Sequence, residues 1–254
     1  MNFLKKNLFL IIIIVAAFGV RFAGTSYNLP LSTTVGDEIV ITSGALRILG
    51  EKTLLLSFPH SSYFPLSYYI YLPFLIVQIL YLKFFTAYHS LAAIKELAIL
   101  HTGVFLIAGR LVSVLFGAGS VLLIYLISQE LFRKKRTSWL AAALFALSPL
   151  NVFMSHFARV WSVQIFFILL ALFFFLRFFN QKAGSVSYSK ILLTGVLLGL
   201  AFMAHVIGVL VYSVLLIVIF YSFEEKRLRN FWLFLKSRKF ILINAFLVLF
   251  IAAS

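Results

Sequence analysis

Asp37 and Glu38 are the residues around which a chemistry can be built. They stand side by side in Ser32-Thr-Thr-Val-Gly-Asp-Glu-Ile-Val40, and Asp37 is the only aspartate among 254 residues. The surrounding chain is mostly apolar or basic. A carboxylate pair placed where a chain leaves the membrane is suited to proton transfer at the bilayer surface. The stretch also has a structural reading. Thr34-Val-Gly-Asp37 fits a capping box, in which a threonine hydroxyl and an acid three positions later satisfy the free amides of a new helix. Local sequence alone favours the cap, because such boxes are common and catalytic pairs are rare.

The elements that must position this pair are membrane helices. Hydrophobic residues make up 63% of the chain and charged residues 11%, with a mean hydropathy of +1.08. A soluble domain would carry about a quarter charged residues. The apolar runs are long enough for helical spans, whereas a barrel would show short alternating segments. The fold class is therefore an all-α polytopic membrane protein. The net charge of +15 reads as an orientation signal rather than a nucleic-acid footprint, since the basic clusters are short and lysine and arginine gather in cytoplasmic loops. There is no cysteine, which excludes disulfide and thiol chemistry. Lys5-Lys6 and the apolar run behind them are read as a retained first helix that also targets the chain to the membrane.

Hydrophobic segments fall at 7–24, 63–83, 101–130, 138–155, 160–178, 190–222 and 240–254. Basic clusters lie at Lys5-Lys6, Arg133-Lys-Lys-Arg136, Arg177/Lys182/Lys190 and Lys226 through Lys239. If all four face the cytoplasm, an even number of crossings must separate each from the next. Three apolar segments lie between the first two clusters, so one of them does not span. Segment 63–83 is the choice. Pro73 in its middle is expected to break a helix, and its tyrosines favour the water–lipid boundary, so it is read as an interfacial helix. Residues 25–100 then form one large extracytoplasmic loop carrying juxtamembrane helices. The run 190–222 is expected to fold as a hairpin of 190–204 and 206–222 that turns near His205, and 240–254 begins a further span. A C-terminal remainder beyond Ser254 is expected.

This topology gathers Asp37, Glu38, His60, His89, His101, His156, Arg159 and His205 at or near the outer face, with Arg21 and Arg110 close by. Seven of the eleven tyrosines, Tyr63 among them, lie in the 25–100 loop. Arginine and histidine hold a phosphate by charge-assisted hydrogen bonds, aromatic rings offer flat apolar faces, and a carboxylate takes a proton from a hydroxyl. The combination suits an anionic lipid headgroup that carries a sugar. Arg159, His205, His60, Arg110 and Tyr63 are the candidates for substrate binding. Arg110 has a second reading as a structural or headgroup-anchoring arginine near a helix end. No spacing of histidines or acids suggests a metal site, so neither a metal nor a cofactor is expected.

The order of several motifs carries a resemblance. An apolar helix is followed by Gly36-Asp-Glu38, an aromatic Phe64-Pro-Leu-Ser-Tyr-Tyr69, Arg110-Leu-Val-Ser-Val-Leu-Phe-Gly117 and Tyr125-Leu-Ile-Ser-Gln-Glu-Leu-Phe132. Ala146-Leu-Ser-Pro-Leu150, Ser155-His-Phe-Ala-Arg159 and Gly195-Val-Leu-Leu-Gly-Leu-Ala-Phe202 come next. The chain resembles polyprenyl-phosphate-sugar glycosyltransferases of the GT-C superfamily, in the branch that holds protein O-mannosyltransferases and lipid A aminoarabinose transferases. The resemblance implies a GT-C-like transmembrane domain, of which 1–254 is the N-terminal part, and a hexosyl- or pentosyltransferase of the cytoplasmic (plasma) membrane. Its implied partners are a lipid-linked sugar donor at the extracytoplasmic face, membrane lipids, and a protein, glycolipid or polysaccharide acceptor; nucleic acid is not among them. Asp37 matches the family's catalytic acid, proposed to deprotonate the acceptor, and Glu38 its neighbour. Trp161 stands where many relatives have an acid or tyrosine, and His205 where many have lysine. Two other classes compete, a transporter or flippase of a lipid-linked sugar and a non-catalytic assembly subunit. The first would place charges near mid-membrane in repeated halves, and the second would be expected to lose the acid.

Overall fold

The computed structural model describes residues 2–29, 36–53, 65–179, 188–205, 235–238, 241 and 244. Its helices are α1 (Asn2–Phe22), α2 (Gly36–Glu51), α3 (Pro65–Phe85), α4 (Leu91–Leu100), α5 (Leu106–Phe132), α6 (Lys135–Ala146), α7 (Pro149–Ser155), α8 (Val160–Phe179) and α9 (Tyr188–Ala204), with a 3-10 turn at Thr102–Phe105 leading into α5. No strand occurs among the described residues, and the protein is an all-α polytopic membrane protein. The expected span 206–222, the span 240–254 apart from residues 241 and 244, and the cap residue Thr34 lie outside the described residues.

Helix α5 is the axis of the molecule, packed against α1, α2, α3, α6, α7 and α8. Its small residues let neighbours approach. A side chain at Gly109 would stand 2.7 Å from Ala158 Cβ and 2.9 Å from Tyr71 Cε2, and one at Gly117 would press on Ser155 and Arg21. At 27 residues and 1.5 Å rise per residue, α5 is about 40 Å long, enough for the hydrocarbon core. Thr102–Phe132, Val160–Arg177 and Leu66–Phe85 are all long and apolar enough to cross a membrane, and Asn7–Phe22 and Leu193–Ala204 are shorter apolar helices.

Two segments differ from the sequence expectation. Helix α3 runs unbroken through Pro73. Tyr68, Tyr71 and Leu75 form its buried face, each no more than 1% exposed, while Pro73 falls on the opposite, exposed face. Packing on one side therefore holds the helix across the bond that proline removes on the other, a loss of about 3 kcal/mol in a helix interior. Tyr68 and Tyr71 are packed in the protein core, so these two tyrosines serve the packing of α3 rather than an exposed boundary face.

Segment 138–155 is not one straight helix. Helices α6 and α7 meet at a bend of 56°. Ser148 precedes Pro149 and takes a non-helical ψ of 116°, as a residue before proline does. Pro149 then opens α7 at a position where its missing N–H is no loss. The bend frees the carbonyl of Ala146, which accepts from Arg21 Nη1 at 3.0 Å.

Helix α3 meets the beginning of α5 and the end of α9, not their full lengths. Tyr71 lies beside Gly109, Gln78 Nε2 donates to Val104 O at 2.9 Å, and Ser67 Oγ donates to Ala204 O at 3.4 Å. Leu82, further along α3, shares a core with Ile94 and Leu97 of α4. Helices α2, α3 and α4 thus gather at one end of the bundle. The exposed cluster Arg133 to Arg136 lies at the other end of α5.

Candidate active site

Asp37 and Glu38 open α2, where two negative charges are favoured by the helix dipole. Successive helical residues diverge by about 100°, and the two carboxylates separate accordingly. Glu38 is 1% exposed. Its Oε1 and Oε2 accept from Arg110 Nε and Nη2, both at 2.9 Å, in a two-pronged ion pair. Oε1 also accepts from the backbone N–H of Ala158 at 2.5 Å.

Arg110 is equally buried. Its Nη1 donates to the carbonyls of Thr25 at 2.9 Å and Tyr27 at 2.6 Å. The guanidinium is therefore occupied by protein groups, and it ties the end of α1, the start of α2 and the turn after α7 to α5. A planar fork is the side chain suited to such a junction, since it meets a carboxylate edge-on and still has donors for carbonyls.

Asp37 keeps 45% of its side chain open and pairs with Arg159, which is 26% exposed and lies 122 positions further on. Arg159 is delivered by the tight turn between α7 and α8. Its own N–H donates to Phe157 O at 2.8 Å, and its carbonyl accepts from Ser113 Oγ of α5 at 3.3 Å. Glu38 grips the preceding residue, Ala158. One acid thus fixes the backbone that presents the other acid's partner.

His205 follows α9 and joins the same group. Its ring lies 4.7 Å from that of Trp161, tilted by 35°, and the Arg159 guanidinium carbon stands 5.7 Å from the Trp161 ring centre. Gln164 Nε2 donates to the His205 carbonyl at 3.2 Å. Burial lowers the Arg159 pKa from its ordinary value. Burial also lowers that of His205, and the neighbouring Arg159 charge lowers it further. The Trp161 indole N–H is buried without a hydrogen-bond partner.

The site thus brings together Asp37, Glu38, Arg110, Arg159 and His205 from the sequence-based candidates. His60 and Tyr63 lie outside the described residues. His156 sits at the same end of the bundle, with Nε2 3.2 Å from Val20 O. No cluster of three histidines, cysteines or acids able to hold a metal occurs among the described residues. The part that sequence could not reveal is the backbone contribution, the Ala158 N–H and the Thr25 and Tyr27 carbonyls, because such groups leave no residue-type signature. Trp161 stood out only as a departure from relatives; its place between Arg159 and His205 is visible in three dimensions alone.

Comparison with known proteins gives one family. Residues 73–254 match the family model described as dolichyl-phosphate-mannose-protein mannosyltransferase. Arg110, Arg159, Trp161 and His205 fall inside the matched region, and Asp37 and Glu38 precede it. No curated protein matches the chain.

Proposed function

The chain belongs to the dolichyl-phosphate-mannose-protein mannosyltransferase family, and from that premise we propose that it transfers a sugar from a polyprenyl-phosphate donor to a protein hydroxyl, with Asp37 as general base. At the coarser level it is an integral membrane glycosyltransferase that uses a polyprenyl-phosphate-linked sugar. Mannose is the sugar of this reading, and serine or threonine supplies the acceptor hydroxyl. The site faces the extracytoplasmic side of the plasma membrane.

The observation that carries the reading is the Asp37–Arg159 pair at a half-open position. In the donor-free state Arg159 neutralises the carboxylate and keeps it a poor base. A donor phosphodiester is a competing anion, and Arg159 turns to it. The acceptor hydroxyl then gives its proton to Asp37 while its oxygen attacks the anomeric carbon from the face opposite the phosphate. The bond from that carbon to the phosphate oxygen breaks, and polyprenyl phosphate leaves with the electron pair, its growing charge held by Arg159. The result is inversion at the anomeric carbon. Such placement of a fixed cation where charge develops is worth several kcal/mol in comparable sites, about 3–4 for a single donor.

Glu38 and Arg110 act through Asp37 and Arg159 rather than on substrate. Both are buried, and their bonds fix the start of α2 against the 156–159 turn. Trp161, with a buried indole N–H that has no partner and a ring beside Arg159 and His205, is suited to donate to a donor oxygen. The sidedness is supported by the separation along α5 between this site and the basic cluster at 133–136, and by the gathering of α2, α3 and α4 at the site end.

The decisive assay supplies purified full-length protein, in nanodiscs, with polyprenyl-phosphate mannose and a serine/threonine peptide. Stoichiometric release of polyprenyl phosphate and mannosylated peptide is the expected result. Donor cleavage to free mannose without peptide product would reject the protein acceptor, and no cleavage with any peptide or glycolipid acceptor would reject the transferase reading.

A further inference from the structure

Among the described residues Arg21 is, with Arg110, one of two buried arginines, and it has no role in the chemistry above. Its side chain is fully buried. Nη1 donates to Ala17 O at 3.1 Å and to Ala146 O at 3.0 Å. Its Nε and Nη2 have no hydrogen-bond partner, and among the described residues no carboxylate pairs with it. Arg110, a comparable buried guanidinium, has a carboxylate held by two prongs. The contrast is the anomaly to be explained.

The free donors border a small cavity of mixed lining, in which Phe145 and Ile165 stand beside the polar groups. Arg21, Gly117, Ser120, Asn151, Ser155 and Ser162 contribute to its lining, and its volume is about 10 Å³. That is room for about one particle of water size; a halide, slightly larger, enters with small shifts of the lining side chains, whereas phosphate or a carboxylate is far too large. The three serines are themselves nearly inaccessible, none more than 3% exposed. The glycine is part of the design: a side chain at Gly117 would come 3.0 Å from Arg21 Nε and would also press on Ser155, closing the space.

Hydrogen bonds and charge set separate requirements here. The carbonyl of Ala146 at the end of α6 partly offsets the guanidinium, since a helix end carries roughly half a unit of negative charge. An isolated charge in an apolar interior is still strongly disfavoured unless it is paired. A water molecule would satisfy the free N–H groups but leave the charge uncompensated. A single small anion would satisfy both.

We propose that the Arg21 cavity binds one halide-sized monovalent anion, such as chloride, held by Arg21 Nε and Nη2 between α1, α5, α7 and α8. The site is distinct from the sugar-transfer site, and its occupant is structural. It neutralises Arg21 and braces the α6–α7 bend against α5. Ser155 and Ser162 bracket the turn that carries Ala158 and Arg159, so occupancy stiffens the support of that turn from below.

The test uses the full chain in detergent and needs no sugar transfer. Thermal unfolding is followed while sodium gluconate is replaced by sodium chloride or bromide at constant ionic strength. A ligand that binds only the folded state raises Tm, by roughly 5–10 °C at a hundredfold excess over Kd. The expected result is a saturable rise with either halide that Arg21→Gln abolishes. Crystals of the unaltered protein grown in bromide should show an anomalous peak beside Arg21 Nε and Nη2. Water density without an anomalous peak, or equal Tm in halide and gluconate, would overturn the proposal. Should Arg21→Gln fail to fold, the halide titration and the bromide peak of the unaltered protein still decide it.

Discussion

Asp37 and Glu38 are adjacent in sequence and opposite in environment. Glu38 is sealed with Arg110 at 1% exposure, while Asp37 keeps 45% of its side chain open and meets Arg159. The divergence follows from helix geometry, which turns the second carboxylate about 100° from the first. It lets one short motif do two jobs. Glu38 anchors α2 to α5 and to the Ala158 amide, and that anchoring brings Arg159 to Asp37.

The role of Asp37 is tested by Asp37→Asn. Asparagine is close to isosteric and loses only the modest dipole contribution of one first-turn charge, so folding should be nearly unchanged, while donor affinity should hold or rise because the carboxylate that competes for Arg159 is gone. It cannot accept a proton as a base, and turnover should fall about 10²–10⁴-fold. Sugar transfer by the full-length protein, read beside Tm and donor binding, gives the answer. Near-normal turnover would return the residue to a structural role.

The buried pair makes the reverse prediction. Arg110→Ala leaves the Glu38 carboxylate buried and uncompensated and frees the Thr25 and Tyr27 carbonyls. A loss of about 3–5 kcal/mol is expected, the usual consequence of removing one partner of a buried ion pair. Replacing both, as Glu38→Gln with Arg110→Met, should be less damaging than Arg110→Ala alone. Denaturation of the three proteins measures the difference, and an Arg110→Ala protein of unchanged stability would contradict the clamp.

His205 supplies a pH dependence of definite sign. Its folded pKa lies below the ordinary 6.5, through burial and then the Arg159 charge. Its contribution to stability is therefore full above pH 6.5 and is lost as pH falls through the folded pKa. Donor binding should run the other way. A phosphodiester anion beside His205 favours the protonated ring, and the diester does not itself titrate near neutrality. Donor affinity should rise as pH falls from about 7.5 towards 6. His205→Gln should flatten that slope, and His205→Lys should bind at least as tightly without pH dependence. An unchanged slope in His205→Gln, measured by donor titration, would remove the residue from the phosphate site.

Sidedness is accessible because the chain has no cysteine. Single cysteines at Lys95 and Lys134 should label from opposite sides with an impermeant thiol reagent in intact cells. The expected pattern is labelling at 95 directly and at 134 only after permeabilisation. Protection at 95 until the membrane is opened would mean that α3 crosses the bilayer.

The sequence by itself determined the class and most of the helix positions. Long apolar runs with few charges have one stable form in hydrocarbon, the helix with its backbone bonds satisfied internally, so 101–130 and 160–178 emerge close to α5 and α8. It also singled out Asp37, Glu38, Arg110, Arg159 and His205, because charged residues in so apolar a chain are few and conspicuous. Only the tertiary structure decided what each one touches. The partners of Glu38 lie 72 and 120 positions away, and one of them is a backbone amide that no residue type announces. Pro73 likewise marked a break by its local chemistry, yet α3 stays continuous because Tyr68, Tyr71 and Leu75 are buried on its other face. Local rules govern what a segment does alone, whereas burial and charge pairing depend on which distant segments arrive beside it.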